Sequence, residues 1–290
     1  MTQFRPGLGG IPPVVKNLLI INVILWIGSI LVRLKFDIGL EEYLGLYYFG
    51  AEKFQPYQII THMFMHSYFN PQQGIVFFHI LFNMFALWMF GRVVENVWGA
   101  KRFFIYYMVC GVGAAILHYL VQYFEMAPVL AQLDDYLLNP DHNAFDSIVE
   151  LVQNNFISPE IAEHGNLYLQ KYYIMLPKDP SAALQVTVDF VKQYKVDYLN
   201  THLVVGASGA VFGILLAFGM LFPNARLMLL FPPIPIKAKY AVIGYGILEL
   251  TLGISGFSWD NVAHFAHLGG MIFGYILIKF WGKHQFNRWD

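Results

Sequence analysis

Apolar residues along this chain run in long uncharged blocks, not at the spacing of an amphipathic helix or an alternating strand. Free of Asp, Glu, Lys and Arg are Asn17–Val32 (16 residues), Gly74–Phe90 (17), Phe103–Phe124 (22), Leu203–Ala225 (23) and Asn261–Ile278 (18). A sixth block, Tyr240–Phe257, is broken only by Glu249. The hydrocarbon core of a bilayer takes about 17–25 apolar residues per helix, so six spanning helices are predicted, the first at the short end of the range. Leu227–Ile236 is apolar too, but it is short and holds Pro232, Pro233 and Pro235. It reads as an interfacial connection before the fifth span, because proline at that density does not continue a helix.

Between the third and fourth spans the pattern changes. Residues 125–200 carry 11 acidic and 4 basic side chains, a net charge of −7 in 76 residues. Phe145, Ile148, Val149, Val152 and Phe156 form a helical stripe. Ser158-Pro159-Glu160 and Asp179-Pro180 read as a cap followed by proline at the first helical position. A small helical insertion is predicted here, on the outer face.

Composition supports the membrane reading. Of 290 residues, 57% are hydrophobic, 17% aromatic and 13% charged, against about 25% charged in an ordinary soluble domain. A disordered chain, a disulfide-built mini-domain and an ordinary soluble enzyme are all disfavoured. The net charge of −1 gives no sign of a nucleic-acid partner, and the single cysteine, Cys110, forms no intramolecular disulfide. With the N-terminus inside, 11 of the 18 Lys and Arg residues fall on the inner side. The positive-inside rule therefore favours N-in, C-in. The first 16 residues hold Pro6, Pro12 and Pro13 and no small-residue cleavage site, so the first span is expected to be an uncleaved anchor. The expected organisation is a cytoplasmic N-terminus (1–16), three spans with an outer first loop (17–124), the insertion (125–200), three further spans (201–282) and a cytoplasmic C-terminus (283–290).

Polar residues in membrane helices are costly and tend to mark function, although they also serve as hydrogen-bonding glue between helices. Span four opens with Gly206-Ala207-Ser208-Gly209. The serine reads either as an uncrowded nucleophile or as part of a small-residue packing face with Gly209 and Gly213. Span six opens with His264-Phe265-Ala266-His267 and continues into a second GxxxG, Gly270 and Gly274. If the two small faces meet, Ser208 and His267 come within reach of each other, as a nucleophile and its base. In span two, His79 and Asn83 lie one turn apart on one face. They are either oxyanion donors or a packing pair. His62 and His66, and His264 and His267, have the spacing of metal-ligand pairs. No HExxH is present and no acidic residue is expected near the His pairs on a span, so no metal and no cofactor are expected. Glu249, the one acid within a span, reads as a proton-relay group or a structural partner.

Together these motifs resemble the rhomboid intramembrane serine proteases. The resemblance rests on GASG at Gly206–Gly209, AHLGGMIFG at Ala266–Gly274, HILFN at His79–Asn83 and Glu95-Asn96-Val97-Trp98-Gly99 after the second span. It covers roughly residues 15–124 and 201–282. It implies an all-α membrane protein, a six-helix bundle with the serine in a water-filled cavity open to the outer side. It further implies Ser208 as nucleophile, His267 as general base, and His79 and Asn83 as oxyanion donors, supported by Gly206, Gly209, Phe212, Gly270 and Gly274. The family works with a dyad and no carboxylate. Span five and the loop 254–261 would form the gate for a substrate helix. Three features depart from the family pattern. Phe212 stands where many members have tyrosine, Tyr57-Gln58 replaces a common Trp-Arg pair in the first loop, and the insertion is foreign to the minimal fold.

The function expected from the resemblance is cleavage of transmembrane helices of membrane proteins, in a bacterial inner membrane, with the insertion as a candidate surface for a protein partner. Two other classes stand beside it. One is an inert rhomboid-like protein that binds membrane helices. The other is a transporter using the intramembrane histidines and Glu249.

Overall fold

The computed structural model describes residues 10–70, 74–155, 159–228, 234–255 and 263–282. Of the features read from sequence, Phe156, Ser158, Pro232, Pro233 and the stretch 256–261 of the gate loop lie outside the described residues. The chain is an all-α membrane protein, divided into two units. One comprises residues 1–45, 57–118 and 204–290; the other comprises 46–56 and 119–203.

The first unit begins with α1, Pro13–Phe36. Proline at the first helical position suits a site whose N–H would go unpaired in any case. The next two N–H groups, of Val14 and Val15, donate to the two carboxylate oxygens of Glu95 at 2.9 and 2.8 Å. A buried anion thus caps a helix N-terminus, where the dipole favours it. At the other end Asp37 turns left-handed (φ 56°) and its N–H closes on the Arg33 carbonyl. Glu95 is the glutamate of the motif after span two, and its work here is structural. Glu95→Ala is expected to destabilise the protein by about 2 kcal/mol and Glu95→Gln by less, read as thermal midpoints in detergent.

α2, Phe78–Trp98, contains a π-turn at Leu87–Gly91 and stops at Gly99, whose φ is +79°. α3 runs unbroken over 39 residues, Ala100–Leu138, and includes Pro128. The uncharged block predicted only Phe103–Phe124; charge ended the prediction at Glu125, but the helix continues past both Glu125 and Pro128. These three helices are long and apolar enough to cross a membrane. α7 (Ser208–Leu221) and α9 (His264–Phe280) are shorter apolar helices, and α8 (Ala238–Ser255) carries Glu249. A hairpin pairing Arg226–Met228 with Pro235–Lys237 joins α7 to α8.

α7 is the central helix, with Gly209, Ala210, Val211, Gly213, Ile214 and Ala217 all buried. By contrast α1 and α8 each expose a row of large apolar side chains, including Ile24, Leu31, Ile243 and Ile247. In water such rows would be a liability; against lipid they are the expected outer face. Glycines set the spacing of the centre. A β-carbon on Gly270 would stand 1.8 Å from the Gly209 carbonyl oxygen, and one on Gly213 would stand 2.4 Å from Cys110 Sγ. The Tyr106 hydroxyl donates to the Gly213 carbonyl at 2.7 Å, fixing α3 against α7.

The first-loop residues of this unit are held by partly buried polar contacts. Gln58 takes the place of the family's arginine and donates to the Tyr43 carbonyl at 3.1 Å, while Thr61 donates to Leu44 at 2.7 Å and Tyr68 to Glu41 at 2.6 Å. These contacts supply anchoring for which the Trp-Arg pair is missing. His62 and His66 are buried beside them, and burial lowers their pKa values to about 4 and about 3. Both folded values lie below the unfolded value of about 6.5. The unfolded chain therefore takes up protons first, and stability present above that pH is lost as the pH falls toward 4. The thermal midpoint is expected to drop between pH 7 and pH 5, at up to about 1.4 kcal/mol per pH unit for each histidine. The slope should flatten in His66→Phe.

The second unit holds the end of α3, then α4 (His142–Asn154), α5 (Pro159–Met175) and α6 (Pro180–Asn200). Asp179 caps α6 as its sequence suggests, its carboxylate accepting the Ala182 N–H at 3.0 Å. The core is rich in aromatics, with Tyr136, Phe145, Tyr172, Phe190, Tyr194 and Tyr198 buried together. Phe145 and Ile148 of the predicted stripe face this core. Tyr48 belongs to the same cluster, the Tyr119 hydroxyl donates to the Tyr47 carbonyl, and the Lys53 N–H donates to Asn200. A piece of the first loop, assigned by sequence to the membrane half, is therefore part of the insertion's own core.

Candidate active site

The chemistry-bearing residues of the first unit come from four helices and the first loop. Ser208 is the first residue of α7. The turn before it depends on Gly206, whose φ of +137° is one that side-chain-bearing residues rarely adopt. The Gly206 N–H donates to the His62 carbonyl at 2.9 Å, tying the serine turn to the first loop.

His79 is the second residue of α2, and its Nδ1 lies 3.3 Å from the Ser67 backbone N–H. A backbone N–H only donates, so Nδ1 accepts and the neutral ring carries its proton on Nε2. A β-carbon on Gly206 would lie 3.1 Å from that Nε2 and 3.5 Å from Ser208 Oγ. The N–H donor and the hydroxyl thus border the same small volume. Asn83 follows one turn later and gives one amide N–H to the His79 carbonyl at 2.9 Å. Its other N–H is the one that could serve a substrate.

His267 is the fourth residue of α9 and is buried. The Phe212 ring stacks on its imidazole at 4.2 Å, with 7° between the planes. Ser208 precedes Phe212 by one turn, so both side chains leave the same face of α7, the face against which His267 packs. The phenyl ring thus keeps the stacking that many members make with tyrosine. The small faces of α7 and α9 do meet, at Gly209 and Gly270. No hydrogen bond joins Ser208 to His267 among the described residues; catalytic contacts are often long before substrate binds.

Sequence reasoning missed one partner. Both His264 Nδ1 and His267 Nδ1 lie against a single oxygen of Glu249, Oε2, at 2.6 and 2.8 Å. The expectation that no acid stands near the histidines is therefore corrected. Glu249 is 15 and 18 positions away from them in the chain, on a different helix, and only the packing of α8 on α9 unites the three. The available signal was the lone charge in an apolar block. The three residues also have the chemistry of a metal site, with ligand atoms within 4.8 Å of one another. Their closest separations, 2.6 and 2.8 Å, fit N–H···O hydrogen bonds. Tetrahedral zinc with ligands at about 2.0 Å would hold them about 3.3 Å apart.

The rhomboid-domain family model matches residues 53–130 and 156–284, and a search of curated proteins finds no match. That span takes in most of the chain and includes His79, Asn83, Ser208 and His267. The chain belongs to the rhomboid family.

Proposed function

We propose that the protein is an intramembrane serine endopeptidase that cuts transmembrane helices of other membrane proteins. The observation that carries this reading is the stacking of His267 on Phe212, one turn along the same face from Ser208. Ser208 Oγ attacks the scissile carbonyl, and His267 Nε2 takes its proton. The Nε2–H of His79 and the backbone N–H of Ser208 receive the oxyanion, with Asn83 as a further donor. His267 returns the proton to the leaving amine, and water then hydrolyses the acyl-enzyme. A helical substrate shields its carbonyls in its own hydrogen bonds, so a segment that unwinds readily is favoured at the cut.

The length of α7 supports a site at membrane depth. Fourteen residues rise about 21 Å, less than a hydrocarbon core of about 30 Å. A helix that reaches one interface therefore leaves Ser208 below the other. The reading includes an N-in, C-in arrangement in a bacterial inner membrane. The acidic insertion then faces outward, where it selects substrate ectodomains or holds a protein partner.

The test is activity-based labelling. Protein in mild detergent, treated with a fluorescent fluorophosphonate, should label at Ser208, and Ser208→Ala and His267→Ala should not label. A folded wild-type protein that stays unlabelled, while binding membrane helices equally well with and without Ser208, would favour the inert helix-binding reading.

A further inference from the structure

We propose that Glu249 is the positioning residue of a three-membered relay, Ser208–His267–Glu249, with His264 as the clamp that holds the carboxylate. This rests on the protease reading above and goes beyond its two-residue mechanism.

The hydrogen bond to Glu249 decides which nitrogen of His267 is basic. An ionised carboxylate only accepts, so the proton of the neutral imidazole resides on Nδ1, 2.8 Å from Oε2. Nε2 is left with its lone pair, the form a general base needs. With Nδ1 held by Glu249 and one ring face covered by Phe212, the imidazole is restrained in both tilt and rotation. When it takes the serine proton, the imidazolium forms beside a carboxylate in a water-poor site, where a counter-charge is worth far more than in water.

Glu249 itself is 7% exposed, as are His264 (7%) and His267 (8%) within about a percent. An unpaired carboxylate buried to that degree would be very costly. His264 supplies a second N–H to the same Oε2 at 2.6 Å. It sits three residues before His267 on one face of α9, so the two donors converge on one acceptor. The second donor keeps the carboxylate both ionised and aimed.

Glu249→Gln tests this, because it keeps shape and removes charge. A glutamine can also offer N–H to Nδ1, which would favour the wrong tautomer. Rates of fluorophosphonate labelling at Ser208 would be measured from pH 5 to pH 9 for wild type, Glu249→Gln and Glu249→Asp, with thermal midpoints alongside. The groups facing His267 are Glu249 from α8, His264 from its own helix and His79 from α2. Only the first is changed. The expected result is a cooperative unfolding transition for Glu249→Gln, a labelling rate lower by at least about 100-fold, and an acid limb moved to lower pH because the imidazolium has lost its counter-charge. Glu249→Asp should recover part of the rate.

A Glu249→Gln protein that labels within twofold of wild type overturns the proposal and leaves the protease reading intact. So does a rate loss with an unmoved acid limb. If Glu249→Gln does not fold, Glu249→Met, uncharged and close in volume, decides: a slowed rate with an acid limb moved to lower pH supports the relay, and a wild-type profile overturns it. Absence of Ser208 labelling in wild type overturns the relay together with the protease reading.

Discussion

Ser208→Ala, His267→Ala and the double variant are expected to fall to one common floor of proteolysis. Each should lose roughly 10³–10⁶-fold against a single-span reporter reconstituted in liposomes. A nucleophile and its base act as a unit, so removing either removes the attack, and the second loss finds nothing further to remove. Donors that remain, on His79 and the Ser208 backbone, still polarise a carbonyl and set the height of that floor. Neither substitution should disturb the fold much. The Ser208 hydroxyl makes no hydrogen bond to His267, and His267→Ala leaves Glu249 the bond to His264. Thermal midpoints near wild type would confirm that the loss is chemical. A double variant far below both singles would mean that the two residues act separately.

The second large effect is expected at Gly270, far from any reacting atom. Its missing β-carbon would overlap the Gly209 carbonyl oxygen at 1.8 Å and the Gly209 carbonyl carbon at 2.6 Å. The obstacle is backbone, which cannot rotate away. Gly270→Val must push α7 and α9 apart, and an overpacked interface of this kind costs about 3 kcal/mol or more. The same displacement carries Ser208 away from His267, so the fraction that still folds should also be slow. A misplacement of about 1 Å costs roughly 100-fold in rate. Gly28→Ala is the control, since nothing lies within 4 Å of its added carbon. It should leave stability unchanged or slightly raised. If Gly270→Val unfolds at the wild-type temperature, the packing described for the centre of the bundle is wrong.

Much of the local arrangement around Ser208, His267, His79 and Asn83 could be read in the sequence because it depends on local spacing. GASG places a serine at a helix start, and HxxGxxxG places a histidine on a small-residue face. HILFN puts two polar groups one turn apart. These are short-range patterns that survive without knowledge of the fold. What escaped depends on distance along the chain. Glu249 was visible as a relay group or structural partner but not as the partner of His264 and His267, because helices α8 and α9 had to be packed before its carboxylate met two rings. Helix ends were also hard to read. The 23-residue uncharged block of span four contains a helix of only 14 residues, since Gly206 turns the chain just before it and Pro223 follows its end. Charge marks where a block stops being apolar, whereas helices stop where backbone conformation changes. The membership of Leu46–Pro56 in the insertion's core was illegible for a third reason: its contacts run to residues more than seventy positions away.

The space over Gly206 has a consequence of its own. An imidazole N–H and a hydroxyl border a volume that one methyl group would fill. An alanine at that position would put its methyl between the two groups and close the space. On the proposed protease reading, the glycine of the motif is thus shaped by a visitor and not by its neighbours. Its missing side chain would then mark the outline of the peptide group to be received.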